Sequence, residues 1–218
     1  MFIGHYGLGL AAKRVAPRTS LGALIAAPTL ADLLWPLFLL FGWERVSITP
    51  STNPFLNLTF DAYPFSHSLV ALLGWGLVFG GLYAVRTRDR GAALVLFLLV
   101  VSHWVLDFIV HRPDLPIVPG GPKVGLGLWN SVPATLVVET TMLVAGVWLY
   151  FSGTRARDAI GRFGVWTFVI FLVCSYGASL FAGPPQSLRV LEIGGLVFGW
   201  LFVAWTAWGD GHRDVVSS

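Results

Sequence analysis

Six apolar runs, each long enough or nearly long enough to cross a lipid bilayer, constrain the fold of this chain more than any other feature of its sequence. A bilayer core of about 30 Å takes roughly 20 helical residues. Hydrophobic residues make up 56% of the 218 residues and charged residues 11%, whereas a soluble domain carries about 25% charged residues. The runs are apolar on every side, so they do not fit the alternating strands of a membrane β-barrel. The sequence therefore predicts an all-α, polytopic helical membrane protein with about six full spans, at residues 21–43, 65–85, 91–110, 132–152, 163–183 and 190–208.

The two ends of the chain and its single cysteine add further limits. The apolar stretch 2–12 is too short for an ordinary span and predicts either a half-helix packed in the bundle or an interfacial helix. No basic segment precedes it and no small-residue cleavage motif follows it, so we expect no cleavable signal peptide. Cys174 lies inside an apolar run, and one cysteine forms neither an intramolecular disulfide nor a CxxC metal site. Residues 209–218 predict a short polar tail.

The basic residues indicate orientation rather than nucleic-acid binding, because they lie in short loops between the spans. When loops 13–20, 86–90 and 153–162 share one side with the tail, that side has ten Lys and Arg residues and the other side has four. An excess of Lys and Arg marks the cytoplasmic side. We therefore expect a protein of the cytoplasmic membrane with the larger group in the cytoplasm. The ten are Lys13, Arg14, Arg18, Arg86, Arg88, Arg90, Arg155, Arg157, Arg162 and Arg213, and the four are Arg45, Arg112, Lys123 and Arg189.

One apolar run ends in three ionisable residues spaced four apart: His103, Asp107 and His111. At about 100° per residue the three side chains project within about 80° of one another, on one stripe of a helix. An HxxxD pair on a helix presents two metal ligands on one face. The alternative is a buried hydrogen-bonded pair that joins neighbouring spans.

Two further segments carry ionisable residues at membrane depth. Asp32 lies between Pro28 and Pro36, which predicts a broken helix, and freed backbone groups at that depth are tolerated only within protein or beside water. The alternative is a structural kink in which Asp32 caps the second half of the helix. His67 follows Ser66, a candidate N-cap, and alone it is typical of an interfacial histidine.

Other ionisable residues have equally simple structural interpretations. His5 is a residue type tolerated near either membrane interface, and Glu139 suits helix–helix hydrogen bonding as well as a site. His111, beside Arg112, can mark the water boundary. His212 lies in the tail, where we expect no role.

On the predicted topology, the candidate polar residues fall between the membrane midplane and the non-cytoplasmic side. Three imidazoles and two carboxylates from four segments suit Zn²⁺ or a similar divalent ion. A bound metal also offsets the desolvation of the carboxylates. The predicted metal ligands are His5, Asp32, His67, His103 and Asp107.

The order of these motifs resembles that of the bacterial membrane-bound metal-dependent hydrolases, the YdjM-like family. The elements that carry the resemblance are "GH" near the N-terminus, an Asp in a Pro-flanked segment, "SHSL" at the start of a helix and "SHWVLD" on the next helix. More distantly, the order is similar to that of zinc-dependent phospholipases C. The resemblance covers roughly residues 1–112 and implies metal-ligand roles for the same five residues. The loop 113–131 and the three spans within 132–208 lie outside it.

The chain departs from the family pattern at two places. Leu34 and Trp35 stand where the family commonly has a second acid and a histidine. Residues 62–64 stand where it usually has a His-Arg-Gly stretch. One or two ions are therefore expected rather than a full multi-metal centre, with His111 or Glu139 as substitute ligands.

The favoured function is hydrolysis of an ester or phosphoester by a metal-activated water, at a site that opens toward the non-cytoplasmic leaflet. The general base is one of Asp107, Glu139 and His111, and the sequence does not choose between them. A site within the membrane thickness makes a lipid or lipid-linked substrate plausible. Loops 44–64 and 113–131 are placed to cover it. The candidates for binding an anionic headgroup are Arg45, Arg112 and Lys123.

Two other functional classes compete with the hydrolase. A transporter or ion-conducting protein uses the same kind of broken helix and buried carboxylate–histidine chain. The sequence shows no clear inverted repeat, however, and ionisable residues are sparse in the cytoplasmic halves of the spans. A membrane scaffold has no use for such a cluster, whose burial is unfavourable.

Overall fold

Residues 1–216, the part of the chain that the computed structural model describes, contain nine α-helices and three two-stranded sheets. The helices are α1 (Ile3–Ala11), α2 (Leu21–Ala26), α3 (Leu30–Leu40), α4 (Pro64–His67), α5 (Leu69–Thr87), α6 (Arg90–Val110), α7 (Val132–Ser152), α8 (Ala159–Ser179) and α9 (Leu188–Asp210). The strands are β1 (Arg45–Ile48), β2 (Leu58–Ala62), β3 (Leu115–Pro116), β4 (Lys123–Val124), β5 (Thr154–Ala156) and β6 (Arg213–Val215). Each pair is antiparallel: β1 with β2, β3 with β4, and β5 with β6.

The helices α5 to α9 are long and apolar enough to cross a membrane, which confirms a polytopic helical fold. Each begins after a Ser or Asp whose side chain accepts a hydrogen bond from the backbone N–H three residues later. This N-cap satisfies a donor that the first helical turn leaves without a partner. The five caps are Ser68, Asp89, Ser131, Asp158 and Ser187.

The predicted span at 21–43 is broken, as its prolines indicate. Pro28 lies in the turn between α2 and α3, whereas Pro36 is accommodated inside α3. Asp32 is not the N-cap of the second half, as one interpretation had it, because α3 follows Thr29 and Asp32 is its third residue. Proline has no N–H, so Pro36 leaves the carbonyl of Asp32 without its intrahelical hydrogen bond.

The short first helix is a buried member of the bundle and not an interfacial helix. It packs against α7 so closely that a Cβ on Gly146 would lie 2.0 Å from the carbonyl oxygen of Gly7. His5 on this helix is completely buried. The glycine contact therefore brings α1, and the imidazole that it carries, against the spans.

The two-stranded sheets lie at both ends of the bundle. We call the end where α6 finishes the site end; it carries β1–β2 within the loop 44–64 and β3–β4 within the loop 113–131. Within the predicted polar tail, residues 213–215 pair with β5 at the opposite end. Residues 217–218 of the tail lie outside the described residues. The leaflet that each end faces stays a prediction.

Candidate metal centre

The five predicted ligands come together at the site end as two overlapping groups. His5, His103 and Asp107 form one group, and Asp32, His67 and His103 form the other. Within each group, one ligand atom from every residue lies within 4.8 Å of the others. A group of this kind can hold a metal ion, and His103 is common to both.

The carboxylate of Asp107 lies at the centre of the cluster. Its Oδ1 is 3.1 Å from Nε2 of His5, and its Oδ2 is 3.1 Å from Nε2 of His103 and 3.9 Å from Nε2 of His67. The spacing of four on α6 places His103 and Asp107 on one face. Asp32 joins from α3, with Oδ1 3.5 Å from Nε2 of His67 and 4.0 Å from Nε2 of His103.

The helix break fixes the ring of His103. Its Nδ1 lies 2.7 Å from the carbonyl oxygen of Pro28, in the turn between α2 and α3. A carbonyl only accepts hydrogen bonds, so Nδ1 carries the hydrogen and the neutral ring has its lone pair on Nε2. That Nε2 is buried without a hydrogen-bond partner. It faces two carboxylates, which are also acceptors.

A side-chain relay fixes His67 in the same way. Glu44 is buried, and its Oε1 accepts hydrogen bonds from the backbone N–H groups of Phe65 and Ser66 at 2.7 and 2.8 Å. Its Oε2 accepts the Ser66 hydroxyl at 2.6 Å, and Ser66 Oγ lies 2.6 Å from Nδ1 of His67. Because the single hydroxyl hydrogen goes to Glu44, Oγ accepts from Nδ1–H, and the Nε2 lone pair of His67 faces Asp32 and Asp107. Ser66 is therefore not an N-cap, as one interpretation had it.

His5 enters the cluster from α1. Its ring stacks on that of His103, with centroids 4.1 Å apart and planes 7° from parallel. Its Nδ1 is buried without a partner, and the ring's only hydrogen-bonding neighbour among the described residues is Oδ1 of Asp107, at Nε2. The α-amine of Met1 donates to Asp107 Oδ1 beside it.

His111 is buried and belongs to the cluster, so it does not mark the water boundary. Its Nδ1 is 2.9 Å from Oδ1 of Asp114, and its Nε2 is 3.6 Å from Oδ2 of Asp107. Its ring packs against Trp129, with centroids 4.3 Å apart. Burial lowers the pKa of the His111 imidazole below its usual value, which favours the neutral ring.

Glu139 lies outside the two ligand groups. Its Oε2 accepts the backbone N–H groups of Phe2 and Gly4, at 2.8 and 3.2 Å. This carboxylate caps the start of α1, which agrees with the helix–helix alternative for Glu139. It therefore helps to hold His5 in place.

The three basic candidates lie on the surface of the site end. Arg45 and Arg112 are exposed and form no salt bridge with any described residue. Lys123 is exposed, and its Nζ lies 3.3 Å from the carbonyl oxygen of Asp61. The structure does not bring these three side chains into contact with the ligand cluster within residues 1–216.

Glu44 and the carbonyl of Pro28 are the partners that the sequence analysis missed. Glu44 lies just beyond an apolar run, beside Arg45, where an acid is typical of the water interface. Its position against Ser66 depends on the β1–β2 hairpin, which returns the chain to the same place. No local sequence pattern predicts that this hairpin brings Ser66 to Glu44.

The arrangement has the chemistry of a cation site. Two imidazoles, on His67 and His103, have their Nδ1–H groups bound to acceptors and direct Nε2 lone pairs toward the Asp107 carboxylate. Lone pairs and carboxylates repel one another unless a cation lies between them. Nitrogen and carboxylate oxygen donors are those of zinc and similar divalent ions. The residues present therefore fit a metal ion.

Comparison with known proteins adds no family to this geometry: no protein-family model, curated protein or solved structure matches the chain.

Proposed function

We propose that this protein is a membrane-embedded, divalent-metal-dependent hydrolase of an ester or phosphoester. The observation that carries the proposal is the convergence of Nε2 atoms from His5, His67 and His103 on two carboxylates. Two of these rings have their Nδ1 atoms fixed by other groups, which is how proteins orient metal-binding histidines. The resemblance to the YdjM-like hydrolases agrees with this proposal. Zinc is the favoured ion, for its preference for nitrogen and carboxylate ligands.

The ligand sets follow from the two groups. His5, His103 and Asp107 would hold an ion in one position, and Asp32, His67 and His103 would hold it in an alternative position. The single Nε2 lone pair of His103 would bind one ion at a time. A divalent ion supplies a Lewis acid that activates water and polarises the scissile bond. The remaining chemistry, which is proton transfer and positioning, falls to the side chains around it.

His111 is the best placed of the three candidate general bases. Its Nδ1 is held by Asp114, and its Nε2 faces the cluster. Asp107 is engaged as a ligand, and Glu139 accepts two backbone N–H groups elsewhere. In hydrolysis, His111 Nε2 takes a proton from water as the water oxygen bonds to the carbonyl carbon or phosphorus. The C–O or P–O bond then breaks, and the leaving alkoxide takes the proton.

Transport has less support, because the bundle beyond the cluster is apolar. Fully buried Leu10, Leu24, Leu96 and Val100 lie in the hydrophobic core of the helices that continue toward the opposite end. A proton or ion path needs polar partners along its length. Among the described residues of that core, the polar groups are the hydroxyls of Tyr6, Tyr150 and Tyr176.

Substrate turnover by purified protein in detergent tests the proposal, since transport does not register without a closed compartment. We expect cleavage within a panel of phosphoesters and lipid esters that chelation abolishes. Asp32→Asn should abolish it as well, because an amide is nearly isosteric but a poor ligand. The matched control is Asp61→Asn, which removes an exposed carboxylate in β2.

Two results would argue against metal-dependent hydrolysis at this site. One is cleavage that survives both chelation and Asp32→Asn. The other is an ion or solute gradient dissipated in sealed liposomes, insensitive to chelation, with no cleavage anywhere in the panel. The second result would assign Asp32 and His103 to transport.

A further inference from the structure

An apolar cavity of about 450 Å³ borders the candidate metal centre. It lies between α3, α8 and α9 and the start of α1, and we call it the chain cavity. Aromatic rings form much of its wall, including Phe171, Phe198 and Phe202. Its volume falls in the range of roughly 300–1,000 Å³ typical of cavities that bury a small organic ligand.

One residue that lines the chain cavity is a predicted metal ligand. Asp32 lines the cavity, and 45% of its side chain is exposed, whereas the side chains of His5, His67, His103 and Asp107 are at most 4% exposed. The same carboxylate reaches His67 and His103 on its other side. The cavity therefore leads directly to the ligand group.

The walls of the chain cavity open toward the surroundings of the spans. Phe171 and Phe198 line it and are 38% and 48% exposed. Two glycines of α9 bring α3 close: a Cβ on Gly195 or Gly199 would lie 2.7 Å from Pro36 Cγ or Leu33 Cδ2, respectively. Both exposed phenylalanines belong to helices of membrane-spanning length, so the medium at this opening is hydrocarbon.

We propose that the chain cavity holds one hydrocarbon chain of a bilayer glycerophospholipid, with the ester-bearing end of that chain at Asp32. No Lys or Arg lines the cavity, which excludes an anionic headgroup from its interior. The surrounding medium supplies acyl chains, and the apolar wall matches them. The position of the ester at the metal ligands rests on the proposed function, but the binding of the chain does not.

The chain cavity favours lipid substrates mainly because it positions the chain, and only slightly because of the free energy of chain binding. A chain that leaves the bilayer for this cavity exchanges one apolar medium for another, so the hydrophobic effect favours the transfer little. A chain held there places its polar end beside Asp32. The structure thereby assigns lipids, rather than water-soluble esters, as the substrate class.

Photo-crosslinking in nanodiscs tests the proposal directly. The probe is phosphatidylglycerol with a diazirine in the middle of one acyl chain, and mass spectrometry locates the labelled residues. We expect strong labelling of cavity-lining residues such as Ser175, Leu191 and the buried Phe202. Ser175→Phe should lower that labelling by about tenfold, since a phenyl ring in a packed cavity excludes the chain.

Two control variants separate chain binding in the cavity from general contact with membrane lipid and from metal-dependent cleavage. Ile170→Phe adds the same ring on the same helix at an exposed position that does not line the cavity, and it should leave labelling unchanged. His103→Ala should remove metal and cleavage but leave labelling unchanged, because His103 does not line the cavity. Chain binding by wild-type protein that holds no metal and cleaves nothing would refute the hydrolase and not the cavity. Uniform labelling of all membrane-facing helices, insensitive to Ser175→Phe, would overturn the chain cavity whatever the metal content.

Discussion

This bundle contains two buried polar clusters, one toward each end. They differ in whether their buried polar atoms have hydrogen-bond partners. At the site end, Nε2 atoms of several histidines converge on the carboxylates of Asp32 and Asp107. At the opposite end, Lys13 on the turn after α1 pairs with Asp210 at the end of α9, with Nζ 2.6 Å from Oδ2. Both clusters contain groups that are almost fully buried.

Every oxygen of the opposite cluster has a donor. Asp210 Oδ2 also accepts the backbone N–H of Leu21 at 2.9 Å, and its Oδ1 accepts the hydroxyl of Tyr150 at 2.9 Å. Lys13 Nζ donates a second bond, to the carbonyl of Thr19 at 2.8 Å. This network joins α2, α7 and α9 to the chain after α1 without any further partner.

The site-end cluster lacks that balance. Nε2 of His103, Nδ1 of His5 and Oε1 of Glu139 are buried without partners. A buried polar group without a partner is unfavourable by about 1–3 kcal/mol. The opposite cluster is therefore a self-contained structural clamp, whereas the site-end cluster is a group that could hold a metal ion.

The largest effect that would sharpen this contrast is loss of metal. We expect gently purified protein to contain stoichiometric divalent metal, and the double variant His103→Ala, Asp107→Ala to contain almost none, because it removes ligands from both groups. Elemental analysis by mass spectrometry measures this. His212→Ala, which removes a histidine at the opposite end, should keep full occupancy, and full occupancy in the double variant would refute the site.

Disruption of the structural clamp should lower the free energy of unfolding and leave the metal content unchanged. Asp210→Ala leaves the buried Lys13 ammonium unpaired, which typically destabilises a protein by about 3–5 kcal/mol. Denaturant titration in mild detergent measures the loss. Asp214→Ala, at an exposed position in β6, is the matched control and should change stability by less than about 0.5 kcal/mol. Metal loss without destabilisation in Asp210→Ala would break the distinction between the clusters.

The features that follow from local spacing were predictable from the sequence. The stripe of His103, Asp107 and His111 follows from helical periodicity, and the structure brings all three together. The broken helix at Pro28 follows from the chemistry of proline. The five long helices likewise follow from composition and length.

Contacts between distant segments were not predictable in this way. Lys13 was interpreted only as a sign of orientation, yet it pairs with a residue 197 positions away. Glu44 contacts Ser66 only because β1 and β2 pair between them. A single sequence shows which residues can bind a proton or a metal, but it does not show which of them the packing supplies with partners.

The smallest expected effect concerns Glu44, a positioning residue that acts on His67 through Ser66. Glu44→Gln keeps the shape and one acceptor oxygen but replaces the other with an NH₂ group, which cannot accept the Ser66 hydroxyl. The hydroxyl then donates to His67 Nδ1, and the ring carries its hydrogen on Nε2, where the ligand lone pair was. We expect metal affinity to fall by about 10–100-fold, as is typical for the outer partners of metal ligands.

Two measurements separate this tautomer effect from a general structural one. The ¹⁵N chemical shifts of His67 in the metal-free protein report which nitrogen carries the hydrogen, and they should exchange between wild type and Glu44→Gln. Competition with a chelator gives the metal affinity, with Glu192→Gln as a control for the same substitution outside the ligand groups. In a His67→Ala background, Glu44→Gln should weaken binding no further, because the ring through which it acts is gone. An undiminished effect in that background would mean that Glu44 supports the bundle rather than the metal ligand.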